Sequence, residues 1–145
     1  VPYGGGGLSC GIAAAMRAVS PATRVFAAEV ETAAPLSASL RAHSPQIVEY
    51  AASFVDGIGG RSVLAEMWPI ASDLLAGSLV MPLDEVASAL ELVARRARVI
   101  AEGAAATSVA AALSGRAGSG RIVCVISGGN IDHLKLATIL RGEMP

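Results

Sequence analysis

The sequence predicts an α/β fold with an open, mostly parallel sheet and helices on both faces. Three observations predict it. Two apolar segments, Val1–Tyr3 and Ile122–Ile126, each run into a glycine loop that opens a helix-like stretch: Gly4–Gly7 before Leu8, and Ser127–Gly129 before Ile131. Between them, short β-type runs alternate with segments whose apolar residues recur at helical spacing. The run Ile122–Ile126 also carries no polar residue, as a strand covered on both faces requires. At 145 residues the chain suits a single unit, 1–145, with a real core.

Each element follows in order. Leu8 to Ala18 is helical and stops at Ser20 and Pro21; Arg24 to Glu29 is a short apolar strand. Pro35 stands at the start of a helix running to about His43. Ser44 to Gly60 is irregular, closing on the glycine-dense stretch from Asp56. Val63 to Leu75 has helical spacing despite Pro69, and Leu79 to Met81 is a brief strand. Asp84 is placed as the N-cap of the next helix, whose last turn holds Arg95, Arg96 and Arg98, where cations suit the dipole. Glu102 to Leu113 is an alanine-rich helix on which other backbone can pack closely, Gly115 to Gly120 is a turn, and a last helix spans Ile131 to Leu140.

Composition removes whole classes of function. The net charge of −1 leaves no basic surplus for a phosphate backbone, so no nucleic-acid partner is expected. Much of the 53% apolar content is alanine, and it contains no run of about 18 apolar residues, so no membrane partner is expected either. With no charged leader before an apolar core, a cytoplasmic location is expected. Cys10 and Cys124 lack metal-ligand spacing and read as small buried hydrophobes.

Four consecutive glycines between a strand and a helix let backbone N–H groups converge on one point, where the helix dipole adds positive potential. That is a phosphate cradle. A nucleoside-triphosphate loop would need Gly-Lys-Ser/Thr, and no lysine follows. The dinucleotide fingerprint G-x-G-x-x-G fails in each register, although Glu29 at the end of the second strand mimics that fold's ribose-binding acid and keeps the reading open. A compact monophosphate fits the spacing better.

The strings VPYGGGGLSCGIA, FVDGIGG, EGAAA and CVISGGNID resemble, in order and spacing, the fold-type II pyridoxal 5′-phosphate enzymes, in particular the serine and threonine dehydratases and serine racemase. The resemblance covers the whole chain as the C-terminal part of that tryptophan synthase beta-like fold. It implies that Gly4, Gly5, Gly6, Gly7 and the Leu8 amide bind the cofactor phosphate, and that the Ser127 hydroxyl faces the pyridine nitrogen. It further implies that Glu102 and Gly57 flank the ring. Each has a plainer reading beside this one: Ser127 as a helix N-cap, Glu102 as a dipole-complementing acid, Asp56–Gly57 as a turn.

Two positions depart from the family pattern. The family's cofactor-bearing lysine has no counterpart, since the only lysine is Lys135, five residues past Asn130, which reads as a solvated surface lysine. The divalent-cation site of serine racemase-like members is matched by Glu29 and the Ala33 carbonyl, but Pro35 stands where an aspartate is expected and cannot ligate.

The resemblance implies a pyridoxal-phosphate-dependent ammonia-lyase acting on L-threonine or L-serine, this chain supplying the phosphate and pyridine side. A small amino acid is the implied substrate, and the lysine and smaller domain would lie in a complementary N-terminal segment. A racemase would use the same visible residues. The other readings are a non-catalytic fragment that self-associates or binds a phosphorylated ligand, and a dinucleotide-binding domain. The first strand has almost no length, which predicts upstream residues that complete it. Without them, apolar surface is expected on the sheet and on helix Glu102–Leu113, and with it a homo-oligomer.

Overall fold

A computed structural model describes residues 1–145. Its frame is a parallel pair, β1 (Phe26–Val30) and β2 (Gly77–Met81), in the register Phe26↔Gly77 to Val30↔Met81. Val1–Tyr3 lies along the other edge of β1: the Ala28 N–H donates to Val1 O at 2.8 Å, and the Tyr3 N–H donates to Ala28 O at 2.9 Å. Helix α1 (Gly7–Val19) follows this short segment, and α2 (Pro35–Ala42) follows β1. The remaining helices are α3 (Trp68–Leu74), α4 (Leu83–Leu92), α5 (Gly103–Leu113) and α6 (His133–Leu140), with one π-helical turn, Val93–Ala97, extending α4. No helix is long and apolar enough to cross a membrane.

Side-chain alternation along β1 divides the core. Ala28 and Val30 face a cluster with Met81, Val86, Leu90, Ala106 and Ile139, whereas Ala27 faces Tyr3, Cys10, Leu36, Ala71 and Leu75. Burying each of the larger side chains contributes about 1.5–3 kcal/mol, so both faces of the small sheet are held by packing. Helix α5 is buried from Gly103 to Ala111 with only Val109 partly open, which its alanines permit by letting α4 approach closely. The expectation of bare surface on this helix is therefore corrected.

The exposed surface lies elsewhere. Ile122–Ile126 is not a strand: no backbone–backbone hydrogen bond involves it, and Val123 is 86% exposed. Its single hydrogen bond comes from the Ser108 hydroxyl, which donates to Val125 O at 2.9 Å, while Cys124 and Val125 are partly buried. The apolar run has the composition of a covered strand, but no segment of this chain pairs with it.

Two boundaries also move. Helix α3 begins at Trp68 rather than Val63, because Pro69 is compatible with a first turn and lacks the N–H an interior position would need. Asp84 is not an N-cap; that position is Pro82, and the start of α4 is held by Glu31, whose carboxylate accepts the Leu83 N–H at 2.8 Å. The arginine cluster does end a helix, and Arg95 also donates to Leu140 O at the C-terminus of α6 at 2.8 Å.

Candidate functional site

The glycine loop leaves β1's edge at Gly4 and enters α1 through Gly6, whose φ of +92° is the left-handed conformation that glycine adopts without strain. A Cβ there would also stand 3.1 Å from the Tyr3 hydroxyl and 3.2 Å from Met67 Cε. Helix α1 has no side-chain cap and no acidic residue in its first turn. The first backbone N–H to find an acceptor after Tyr3 is that of Cys10, on Gly6 O at 2.9 Å. Six consecutive N–H groups, Gly4 to Ser9, therefore have no acceptor in the chain, and they surround the positive end of a helix.

These groups line a cavity of about 180 Å³. Gly4, Gly5, Gly6, Gly7 and Leu8 all reach it, as do Gly57, Glu102 and Ser127, so every position expected at the cofactor opens onto one space. Pro2, Ser9, Ile58 and Ala104 line it too and were not anticipated. Ser9 was legible in principle, two residues into a helix opened by glycine; its hydroxyl donates to Pro2 O at 2.7 Å and pins the loop's two ends together.

Glu102 is the N-cap residue of α5, yet its side chain makes no cap bond. It reaches across to the Ser-Gly-Gly-Asn loop, where Oε2 accepts the Asn130 N–H at 3.2 Å and the Glu102 N–H donates to Gly128 O at 3.0 Å. A Cβ on Gly128 would fall 2.5 Å from Glu102 Oε1, so Glu102 keeps this position only beside glycine and would have to swing away from any larger residue. The N-cap reading of Ser127 is excluded, because α6 begins at His133 and is capped by Asp132, whose Oδ1 accepts the N–H groups of Leu134 (2.8 Å) and Lys135 (3.1 Å). Those two bonds hold the Asp132 carboxyl below the usual carboxylate range.

Lys135 does not line the cavity, and its ammonium lies 3.6 Å from Asp56 Oδ2. The lysine is thus not simply solvated; it ties α6 to the loop beside Gly57.

Glu29 and Ala33 form no metal centre. Glu29 is 1% exposed, and its carboxylate accepts from the Leu36 N–H (2.9 Å), the Ser37 N–H (2.7 Å) and the Ser78 hydroxyl (2.5 Å). Burial pushes its carboxyl up, against the downward pull of those hydrogen bonds and of Arg41. No group of three His, Cys, Asp or Glu side chains is arranged to hold an ion. The donor set does not fit a divalent cation.

Fold and cup together define an α/β unit whose glycine loop, with its unpaired N–H groups, opens at the end of a short segment parallel to β1. The chain belongs to the pyridoxal-phosphate dependent enzyme family, whose sequence profile matches residues 1–128. It is 37% identical over 144 residues to an L-threonine ammonia-lyase of Geobacter sulfurreducens, covering 97% of this chain and 35% of that protein. It is 31% identical over 157 residues to serine racemase of Rattus norvegicus, covering all of this chain and 45% of the racemase. The crystal structure of a T.th. threonine deaminase superposes with a TM-score of 0.85 at 31% identity, covering 91% of this chain and 48% of that one. The chain thus spans less than half the length of each.

Proposed function

We propose that this chain is the phosphate- and pyridine-binding part of a pyridoxal-phosphate-dependent ammonia-lyase acting on L-threonine or L-serine. The observation that carries the reading is the row of six unpaired N–H groups, Gly4 to Ser9, facing the same cavity as Ser127 and Glu102. In this reading the amides of Gly4 to Gly7 and Leu8 hold the phosphate, with the α1 dipole adding to them. Gly57 leaves room beside the ring, and Glu102 fixes the loop that presents Ser127.

When bound, the cofactor supplies an electron sink for bond cleavage at the α-carbon of an amino acid. A neutral serine hydroxyl at the pyridine nitrogen does not enforce a proton there as a carboxylate would. The weaker sink suits loss of a β-hydroxyl, in which the leaving group drains charge quickly. The lysine that would carry the cofactor belongs to a complementary segment, in keeping with the partial coverage of the relatives.

An absorption titration with pyridoxal 5′-phosphate, followed by borohydride reduction and intact mass, tests the reading. Saturable binding without a covalent adduct is expected, and absence of saturable binding would sink it. Mixing with a lysine-bearing N-terminal segment should then release a 2-oxo acid and ammonia from L-threonine or L-serine; D-serine instead would identify a racemase.

The open apolar segment Ile122–Ile126 favours a second reading, a non-catalytic fragment that self-associates through this edge. Light scattering separates them: a concentration-dependent oligomer inert in the mixing experiment supports the second.

A further inference from the structure

Helix α2 lacks a cap of its own. Its N-cap residue is Ala34, which has no side-chain acceptor, and its first residue is Pro35, which has no N–H to satisfy. The next two N–H groups, Leu36 and Ser37, are those an N-cap side chain serves. Both donate to Glu29, seven and eight residues upstream on β1, and the Ala38 N–H returns to Ala34 O at 3.2 Å. Every amide of the first turn is accounted for.

The same carboxylate is engaged on both oxygens. Oε1 takes Leu36, Oε2 takes Ser37 and the Ser78 hydroxyl of β2, and Arg41 reaches toward the group through Ser37, donating to its Oγ at 2.9 Å. An ion drawing on both oxygens would compete with amides that have no other acceptor inside the fold, and losing those bonds leaves buried donors unsatisfied.

We propose that Glu29 is a remote N-cap that locks α2 to both strands, and that the α2 amides and Ser78 hydroxyl do for this buried carboxylate what a divalent cation would otherwise do. The chain therefore folds without a metal ion at Glu29 and Ala33, at a position where Pro35 withholds a further ligand. This holds whatever ligand the glycine cup takes.

The test uses the full chain, melted after EDTA treatment and again in millimolar Mg²⁺, Ca²⁺ or Mn²⁺, with the electron paramagnetic resonance signal of free Mn²⁺ recorded alongside. An unchanged melting temperature and undiminished Mn²⁺ signal are expected. Saturable stabilisation or signal loss that disappears in Glu29→Gln overturns the proposal, whereas binding that survives Glu29→Gln lies elsewhere and leaves it standing. Amide exchange tests the cap itself: Leu36 and Ser37 should be protected, and should exchange at least about tenfold faster in Ser78→Ala or Glu29→Gln, as loss of a charged hydrogen bond implies. Free exchange of both amides in the unaltered chain would refute the cap. Ser78→Ala keeps the experiment decisive should Glu29→Gln fail to fold.

Discussion

Lys135 Nζ lies 3.6 Å from Asp56 Oδ2, so the sole lysine bridges the helix after the Ser-Gly-Gly-Asn loop to the loop beside Gly57. Neither residue of the pair lines the cavity, and the ammonium is paired with a carboxylate.

Replacing Lys135 by methionine should therefore cost less than about 1 kcal/mol, the range for pairs as open to solvent as this one. Affinity for pyridoxal phosphate should not change. Intact mass after borohydride reduction should show no adduct in either protein; an adduct present before and absent after the substitution would make Lys135 a nucleophile after all.

The glycine loop predicts a split between adjacent positions. Gly6→Ala forces a left-handed residue against Tyr3 and Met67 and should destabilise by about 1–2 kcal/mol. A Cβ at Gly7 meets no atom within 4 Å, so Gly7→Ala should melt no lower than the parent. Gly7 lines the cup, however, and cofactor affinity should fall at least about tenfold, roughly 1.4 kcal/mol. Calorimetric melting and the absorption titration read the two effects separately.

Gly128 and Glu102 should be coupled. A methyl at Gly128 would collide with Glu102 Oε1, so Gly128→Ala should damage cofactor binding in the parent and much less beside Glu102→Ala. A double-mutant cycle on pyridoxal phosphate affinity should return an interaction of about 0.5–3 kcal/mol. Strict additivity would show that the contact does not shape the loop.

Tyr3 is 2% exposed, and its hydroxyl is the one buried side-chain polar atom without a hydrogen-bond partner. Tyr3→Phe should therefore stabilise the chain by about 1 kcal/mol. Burial, aided by Cys10 and Glu29, pushes the phenol up to about 12 from 10.0. The folded state then holds this proton more tightly than the unfolded chain, so stability present below pH 10 is lost as pH rises toward 12. Urea melts across that interval should show the loss in the parent and a shallower one in Tyr3→Phe.

Much of the fold was legible because helix signals are local. Gly7, Pro35 and the spacing through Leu90 mark α1, α2 and α4 by the residues that build them. The glycine loop and Ser127 were legible for the same reason, as contiguous strings. What escaped depends on partners distant in sequence. Ile122–Ile126 has the composition of a covered strand, but composition does not say whether a neighbour is present. Glu29 matches a cation ligand of the family it resembles, but the partners it has in this fold, the Leu36 and Ser37 amides, carry no side-chain signature. Glu31, standing in for the cap assigned to Asp84, is the same kind of long-range acceptor.

The two walls of the cup are built to different standards. The glycine wall hangs from a hydrogen-bonded edge of β1, while the serine wall continues from Ile122–Ile126, steadied by the Ser108 hydroxyl and the Glu102 contacts. A ligand touching both walls acts as a splint, and its observed affinity is its intrinsic affinity scaled by the fraction of chains whose serine wall is already in place. A strand added along Ile122–Ile126 raises that fraction and tightens binding without touching the ligand, and by reciprocity the ligand strengthens the strand's attachment. Ligand affinity is in this way a remote gauge of what lies against that edge.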